Sequence, residues 1–395
     1  MANRISFNQI NVGVLNRIFE NYGKLEQIQQ ELTTGKRVNK ASDDPVGAAN
    51  VMQLRAEGDR LGSYQRNLDD GLAYLATVDI TLGTGNNLYQ NMRERAIQAA
   101  NDSNSAQSRF FIGQEVRGMF EQMVGLSNTS FKGQYLFSGT NTQVPPYEMR
   151  SGVAHAVAAP AALSGDMTLT ATQLGTPLQL IDKNVTDSAD NPSYAAFAKL
   201  LVPGTVKISG FSEYTDYTVD YVNGTVNFTN PNAAVVAAGG AGLDVNFDWV
   251  RKNEKDLNGV INRELEEGVA VRINSTAGEV FGQSGEVTSW EAILNLMEGT
   301  INNKPLKIQS SITQIDEVFK RQLTAQSING ARVLRLESTQ ERNDSRQVET
   351  SKLQSNIEDV DFAEAVSKFT LQKTVYEASL KMGAQAIQNT LMNFL

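Results

Sequence analysis

The residue types on which catalysis and metal binding depend are scarce in this sequence. Its 395 residues include no cysteine and a single histidine, His155. The lack of cysteine excludes a thiolate nucleophile, a thiolate metal site and a disulfide. A single histidine also excludes the paired histidines of an HExxH zinc site. His155 lies among alanine, proline and glycine residues, so we expect it at the surface.

The remaining motifs that could carry chemistry have simpler structural interpretations. Asp43 and Asp44 are adjacent, and adjacent residues on a helix do not face each other. Asp44 is instead predicted to cap a helix that begins at Pro45. The Gly35–Lys36 pair lacks the earlier glycine and the following serine or threonine of a phosphate loop. We therefore predict no catalytic residues, no cofactor and no metal, and we expect that the protein is not an enzyme.

A short basic cluster follows the first predicted helix and leaves two interpretations open. It could compensate the negative end of that helix, or it could contact another subunit. Its residues are Lys36, Arg37 and Lys40.

The charge distribution indicates which partners the chain avoids. The net charge is −9, and residues 145–305 hold 10 Lys and Arg against 19 Asp and Glu, so the whole imbalance lies there. An acidic surface repels nucleic acid and anionic lipid. No apolar stretch approaches the 18 or so residues that a membrane-spanning helix needs. We therefore expect neither nucleic acid nor membrane insertion.

The prolines divide the chain into helical and non-helical parts. None lies between residues 46 and 144 or after residue 305, which leaves two segments free to form long helices. The predicted helices cover 8–33, a long stretch from 45 to a polar break at 101–105, and most of the chain after 305. The polar segment 338–346 is expected to be a hinge or a solvated stretch.

Both ends of the chain carry apolar stripes at helical spacing. The C-terminal helix has a second apolar stripe beside the first, and a helix that is apolar on two faces must be buried among several helices. We therefore predict that the terminal helices pack against each other and against other subunits. The predicted interface residues are Ile10, Val14, Ile18, Leu25, Leu32, Val366, Phe369, Tyr376, Leu380, Ile387, Leu391 and Phe394.

The middle of the chain has the pattern of β-structure. Residues 217–221 and 225–228 flank an Asn-Gly pair, which is the strongest short signal of a hairpin. Alternating apolar residues predict further strands at 243–249 and 269–274. We predict an α+β fold, in which the paired N- and C-terminal segments form a long antiparallel coiled-coil rod with a mainly β domain inserted at the far tip. The predicted domains are 1–44 with 350–395 for subunit packing, 45–145 with 288–349 as a helical rod, and 146–287 as a β-rich outer domain.

Several segments resemble the signatures of a known family. Residues 32–49, LTTGKRVNKASDDPVGAA, resemble the N-terminal signature of bacterial flagellins and their junction relatives. Residues 355–365, 376–380 and 391–395 resemble their C-terminal signature. The run GQYLFSGT at 133–140 is similar to that of the hook–filament junction branch, hook-associated protein 3. The residues that match the signatures are Gly35, Arg37, Asp43, Asp44, Pro45, Gly133, Tyr135, Phe137 and Gly139.

This resemblance implies a structural component of the bacterial flagellum. It implies a homo-oligomeric ring between the first hook-associated junction protein and flagellin, and a cytoplasmic export chaperone on the C-terminal helix. The chain is then extracellular, exported by the flagellar type III apparatus without a cleaved signal. One alternative is a short flagellin that forms the filament itself. Another is a binding or enzymatic role for the insertion 146–287.

Overall fold

The computed structural model describes residues 7–156, 178–179, 201–208, 211–213, 216–221, 225–229, 243–252, 257–283 and 285–392. This part of the chain is mostly helical, and its helices are numbered α1 to α7 in chain order. Their bounds are Phe7–Thr34, Pro45–Ala100, Ala106–Ser127, Ala277–Phe281, Ser289–Ile301, Pro305–Glu358 and Phe362–Met392. Not one of these described helices combines the length and the apolar character that crossing a bilayer requires.

The predicted signals between the first two helices are confirmed. Gly35 ends α1 in the left-handed conformation, with φ of +71°, where a glycine has no Cβ to clash. Oδ1 of Asp44 accepts a hydrogen bond from the N–H of Gly47 at 2.8 Å. Asp44 is therefore the cap of α2, and Pro45 is its first residue, as expected.

The polar break at 101–105 also occurs where it was predicted, between α2 and α3. Oγ of Ser105 accepts from the N–H of Ser108 at 3.1 Å and so caps α3. The buried guanidinium of Arg109 donates to the backbone oxygens of Ala99 at 2.9 Å and Asn101 at 3.1 Å. These bonds hold the two helix ends together across the turn.

Of the two predictions for 338–346, the structure shows no hinge, because α6 continues through the segment without a break, whereas most of its residues are exposed, as the solvated alternative expects. Thr339 and Asn343 are buried. The side-chain N–H of Asn343 donates to the backbone oxygen of Leu61 in α2 at 3.1 Å. The helical period turns the side chain of Asn343 towards α2, where the backbone carbonyl of Leu61 accepts its hydrogen bond.

In the described residues between α3 and α4 there are ten strands. Their bounds are Ser130–Phe131, Gln134–Tyr135, Tyr147–Ala156, Leu178–Gln179, Lys207–Ile208, Tyr217–Asp220, Thr225–Phe228, Leu243–Lys252, Asn262–Glu266 and Val269–Arg272, numbered β1 to β10. They pair antiparallel as β1-β2, β3-β8-β5, β4-β7-β6 and β9-β10. The four predicted strand segments, 217–221, 225–228, 243–249 and 269–274, are confirmed. In the predicted hairpin Asp220 pairs with Thr225, while its turn at 222–224 lies outside the described residues.

The chain divides into two compact units, residues 1–67 with 339–395 and residues 68–338. We call them the terminal unit and the middle unit. In the terminal unit α1 packs against α7, and the start of α2 packs against the end of α6. The boundary between the units falls inside the two long helices.

The core of the middle unit is centred on an aromatic cluster. The ring centroid of Trp290 lies 4.6 Å from that of Tyr147 and 5.4 Å from that of Phe281. Phe120 and Phe137 complete the cluster, with their rings edge-on to Trp290 and Phe281. All five side chains are almost fully buried, so strands and helices are joined in one core.

Candidate functional site

The two chain ends meet as an antiparallel pair of helices, α1 and α7. The rings of Tyr22 and Tyr376 lie 5.8 Å apart, centroid to centroid. Nε2 of Gln372 donates to the backbone oxygen of Asn21 at 3.2 Å. A Cβ added at Gly383 would lie 3.0 Å from Ile18, so the helices approach closely there. The predicted pairing of the terminal helices is therefore present.

The face of α7 that covers α1 differs from the predicted stripe. Its least exposed residues are small or polar ones as well as aromatics: Ala365, Phe369, Gln372, Tyr376, Ser379 and Gly383. Of the predicted interface residues, Phe369 and Tyr376 are half-buried, whereas Val366 and Leu380 are exposed. In α1, the predicted residues Val14, Ile18, Leu25 and Leu32 are half-buried. Ile10, Ile387 and Leu391 lie in the helices, but their side chains, like the whole of Phe394, fall outside the described part.

The α1–α7 pair leaves apolar side chains exposed on α1 and on two sides of α7 in the terminal unit. Phe19 is 69% exposed and Met382 is 70% exposed, and groups of exposed apolar side chains mark surfaces where proteins meet. We call this set of residues the exposed terminal face. Its residues are Val12, Leu15, Phe19, Tyr22, Phe362, Val366, Leu371, Val375, Leu380 and Met382.

Sequence reasoning named part of this face and missed part of it. The second stripe of α7 was visible in the sequence, but the α1 residues Val12, Leu15 and Phe19 were not among the predicted interface residues. Their spacing of three and four residues is a helical signal. The prediction chose the other apolar stripe of α1, which includes Ile18. Both stripes have the helical period, so spacing alone did not distinguish them.

A buried carboxylate joins the two family-like signatures within the terminal unit. Glu358, at the end of α6, is only 3% exposed and pairs with Lys36 and Arg55. Gln354 donates to its other oxygen at 2.8 Å. Burial acts to raise the pKa of Glu358, but the hydrogen bonds from Lys36, Gln354 and Arg55 outweigh it and hold that pKa below its usual range. We call these four residues the Glu358 cluster.

Backbone hydrogen bonds reinforce the same contact. The N–H of Arg37 donates to the backbone oxygen of Glu358 at 2.7 Å, and the N–H of Val360 donates to that of Gly35 at 3.0 Å. The Arg37 guanidinium donates to the backbone oxygen of Ile357 at 2.8 Å. Lys36 and Arg37 thus bind the C-terminal segment of their own chain, an arrangement that neither interpretation of the basic cluster included.

The signature at 133–140 contributes to packing in the middle unit. Gly133 and Gly139 have positive φ, +78° and +61°, and Phe137 is fully buried against Phe281. The hydroxyl of Tyr74 donates to the backbone oxygen of Leu136 at 2.8 Å. This motif therefore shapes a turn and anchors it in the core. Within the described part of the chain, no group of three carboxylate or histidine side chains is placed to hold a metal ion.

The fold and the exposed terminal face define a class of protein. In this class the N-terminal and C-terminal helices pair with each other, and the chain between them includes a segment with β-strands. Both ends match one family. The model of the bacterial flagellin N-terminal helical region matches residues 5–142, and that of the bacterial flagellin C-terminal helical region matches residues 312–395. The chain therefore belongs to the flagellin-like proteins.

Individual relatives agree with this assignment. Flagellin B of Helicobacter pylori is 30% identical over 122 residues, which are 31% of this chain and 24% of that protein. A flagellin of Clostridium tyrobutyricum is 23% identical over 403 residues, which cover 98% of this chain and 99% of that one. The chain thus matches about a quarter of the length of Flagellin B and nearly the whole of the clostridial protein.

A solved structure shares the fold. A flagellar hook-associated protein from Vibrio parahaemolyticus superposes with a TM-score of 0.51 at 16% identity. The match covers 80% of this chain and 100% of that one. At this level of identity the comparison concerns the fold alone.

Proposed function

We propose that the protein is a structural, non-enzymatic subunit of the extracellular bacterial flagellum. The observation that carries this proposal is the exposed terminal face on the paired chain ends. Apolar side chains that stay exposed on two paired helices mark a surface where proteins meet. The family to which the chain belongs supports a flagellar assembly as the place where those partners are found.

The energetics favour assembly with several neighbours at once. Covering a half-exposed apolar side chain contributes about 1 kcal/mol, at roughly 25 cal/mol per Å². The ten side chains of the face then contribute on the order of 10 kcal/mol before costs. Lost rotational and translational freedom offsets an amount of similar size. A single neighbour that covers part of the face therefore binds weakly, whereas a complete ring of neighbours binds tightly.

Within the flagellum, we place the subunit in the junction ring between the first hook-associated junction protein and flagellin. The GQYLFSGT run and the Asp-Asp-Pro sequence at 43–45 support this position. The proposal includes export by the type III apparatus, with a cytoplasmic chaperone on α7. It also includes an antiparallel helical rod built from residues 1–44 with 350–395 and residues 45–145 with 288–349, with 146–287 as the outer β-rich part.

A short flagellin that forms the filament itself is the second candidate. It is favoured by the clostridial flagellin, which aligns with almost the whole chain. The two candidates differ in self-assembly. A filament subunit polymerises alone, whereas a junction subunit needs the end of an existing flagellar structure to which it can add.

The test is assembly of the purified full-length chain, followed by electron microscopy. We expect no long filaments from the chain alone, and we expect one short layer when it is added to hooks that carry the first junction protein. Long filaments from the chain alone would establish the flagellin alternative. If the chain neither forms filaments alone nor adds to these hooks, the flagellar assignment is overturned.

A matched pair of variants tests the exposed terminal face. Phe19→Ser with Met382→Ser removes two of its most exposed side chains, whereas Gln29→Ser with Lys381→Ser alters exposed polar positions on the same helices. We expect the first pair to reduce incorporation at least tenfold and the second to leave it unchanged. Equal incorporation by both would show that the face is not the assembly surface.

A further inference from the structure

Three Asn-Gly pairs occur in the sequence, at 223–224, 258–259 and 329–330. Such a pair is chemically reactive, because glycine has no side chain to shield its backbone nitrogen from the side-chain amide of the asparagine before it. Attack by that nitrogen converts the asparagine first to a succinimide and then to an acidic residue. The pair at 223–224 lies outside the described residues, and the structure distinguishes the other two.

The pair at 329–330 is protected by α6. Asn329 is fully buried, and its Nδ2 donates to the backbone oxygen of Leu75 at 3.0 Å. Gly330 lies inside the helix, where each N–H donates to the carbonyl four residues earlier. The helix also fixes the backbone dihedral angles that ring closure must change. This asparagine can react only after α6 opens locally.

The pair at 258–259 has no such protection. Asn258 is exposed, and both residues lie outside any helix or strand, just before β9. Among the described residues, neither the side-chain amide of Asn258 nor the N–H of Gly259 has a hydrogen-bond partner. No helix or strand has to open before the amide and the nitrogen can meet.

Packing of the middle unit requires the glycine of this pair. A Cβ added at Gly259 would lie 2.5 Å from Oγ1 of Thr140 and 2.8 Å from its backbone nitrogen. A close-packed interior has no room for such an overlap. The backbone oxygen of Gly259 also accepts a hydrogen bond from Nδ2 of Asn274 at 2.8 Å. The fold therefore keeps next to Asn258 the residue type that makes it reactive.

We propose that Asn258 is a site of spontaneous deamidation in the folded protein, through a succinimide formed with Gly259. The nitrogen of Gly259 loses its proton to base in the solvent and forms a bond to Cγ of Asn258. The bond between Cγ and Nδ2 breaks, and ammonia leaves with a proton taken from water. This inference concerns the middle unit and does not depend on the proposed function.

Water then opens the succinimide ring at one of its two carbonyls. Addition at Cγ breaks the bond from Cγ to the nitrogen of Gly259 and leaves aspartate. Addition at the backbone carbonyl of residue 258 breaks the other bond to that nitrogen and leaves isoaspartate. Both products replace a neutral amide with a carboxylate, and water is the only co-reactant.

The isoaspartate product has a structural consequence. It directs the main chain through the side chain of residue 258 and so adds one carbon before Gly259, which is packed against Thr140 and bonded to Asn274. Asn274 is fully buried, and its Oδ1 accepts a hydrogen bond from the N–H of Ile261 at 2.9 Å. We expect the longer chain to displace Gly259 and to loosen the hydrogen bonds that Asn274 makes to this segment.

The test is incubation of the folded full-length chain at mildly alkaline pH, followed by digestion at acidic pH and peptide mass spectrometry. Deamidation adds about 1 Da to a peptide, and an isoaspartate-specific methyltransferase identifies the isomer. We expect deamidation at Asn258 to be at least about tenfold faster than at Asn329, because a residue in a core helix must wait for local opening. In the chain unfolded by urea, we expect the two rates to be similar. An intact Asn258, or equal rates at the two sites in the folded chain, would overturn the proposal.

A matched pair of variants tests the site and its consequence. Asn258→Gln keeps the amide but requires a larger and slower-forming ring, whereas Asn262→Gln makes the same change at an exposed position that arginine follows. We expect only the first variant to lose the modification at position 258. Hydrogen exchange at the N–H of Ile261 should become faster during incubation of the parent and of Asn262→Gln, and should stay constant in Asn258→Gln. An equal increase in all three would exclude Asn258 as the cause.

Discussion

The middle unit buries its large apolar side chains more completely than the terminal unit does. In the middle unit, helices and strands from several parts of the chain cover Trp290 and its aromatic neighbours almost completely. In the terminal unit, α1 and α7 cover each other on one face and leave Phe19, Leu371 and Met382 about two-thirds exposed. An amphipathic helix gains most of its stability from packing. We infer that the middle unit is self-sufficient and that the terminal unit depends on neighbours.

Deletion of residues 360–395 is expected to have the largest effect on this comparison. It removes α7, so α1 loses its partner in the terminal unit, while the core around Trp290 keeps all its residues. We expect a soluble protein whose middle unit is folded and which cannot join a flagellar assembly. Amide hydrogen exchange followed by electron microscopy measures both properties. Assembly by the truncated chain would show that the terminal helices are dispensable.

Trp290→Ala should strongly destabilise the middle unit. Removing a fully buried large aromatic side chain costs about 3–5 kcal/mol. Urea unfolding followed by far-ultraviolet circular dichroism measures this loss. Leu334→Ala, at an exposed position on α6, is the control, for which we expect a change below about 0.5 kcal/mol. Similar values for both would contradict a core centred on Trp290.

Glu358→Gln should loosen the terminal unit by an intermediate amount. It removes a buried charge that Lys36, Arg55 and Gln354 all contact, and hydrogen bonds to charged groups contribute about 1.5–3 kcal/mol. Faster hydrogen exchange at the N–H groups of Arg37 and Val360 measures the loss. Glu364→Gln, at an exposed position of α7, should leave these rates unchanged.

The effect of Glu358 should also depend on pH. Its pKa is lowered in the folded protein from a reference of 4.5, so its stabilisation is fully present above pH 4.5. It decreases as the pH falls through the lower value of the folded state. We expect the exchange rates of the parent to approach those of Glu358→Gln as the pH is lowered from 6 to 3. A difference that is independent of pH would exclude the carboxylate charge as the cause.

Phe19→Ser should have the smallest effect on the isolated chain. The side chain is 69% exposed, so we expect the stability of the terminal unit to change by less than about 0.5 kcal/mol. Ile18→Ser, at the neighbouring position that contacts Gly383, should destabilise the α1–α7 pair more strongly. Hydrogen-exchange rates in α1 distinguish the two variants. A larger effect of Phe19→Ser than of Ile18→Ser would mean that α1 packs against α7 through the face that carries Phe19.

Local signals in the sequence were sufficient for most elements. The α1 prediction differed from the structure by one residue at each end, and the cap at Asp44, the break at 101–105 and the hairpin at 217–228 were confirmed. Each depends on residues within a few positions of one another, such as the side chain of Asp44 and the N–H of Gly47. Such local patterns can be interpreted without knowing which distant segment of the chain packs against them.

The tertiary structure decided which surfaces meet. The Glu358 cluster joins Lys36 to a carboxylate more than 300 positions away, and no local pattern specifies that pair. The polar segment 338–346 was expected to be a hinge or a solvated stretch, and most of it is exposed. Asn343 is an exception, because it is buried and donates its amide to a carbonyl of α2. The sequence by itself determined where helices begin, end and carry apolar stripes. Only the three-dimensional arrangement decided which stripe is covered, because burial depends on what lies opposite a side chain and not on its own type.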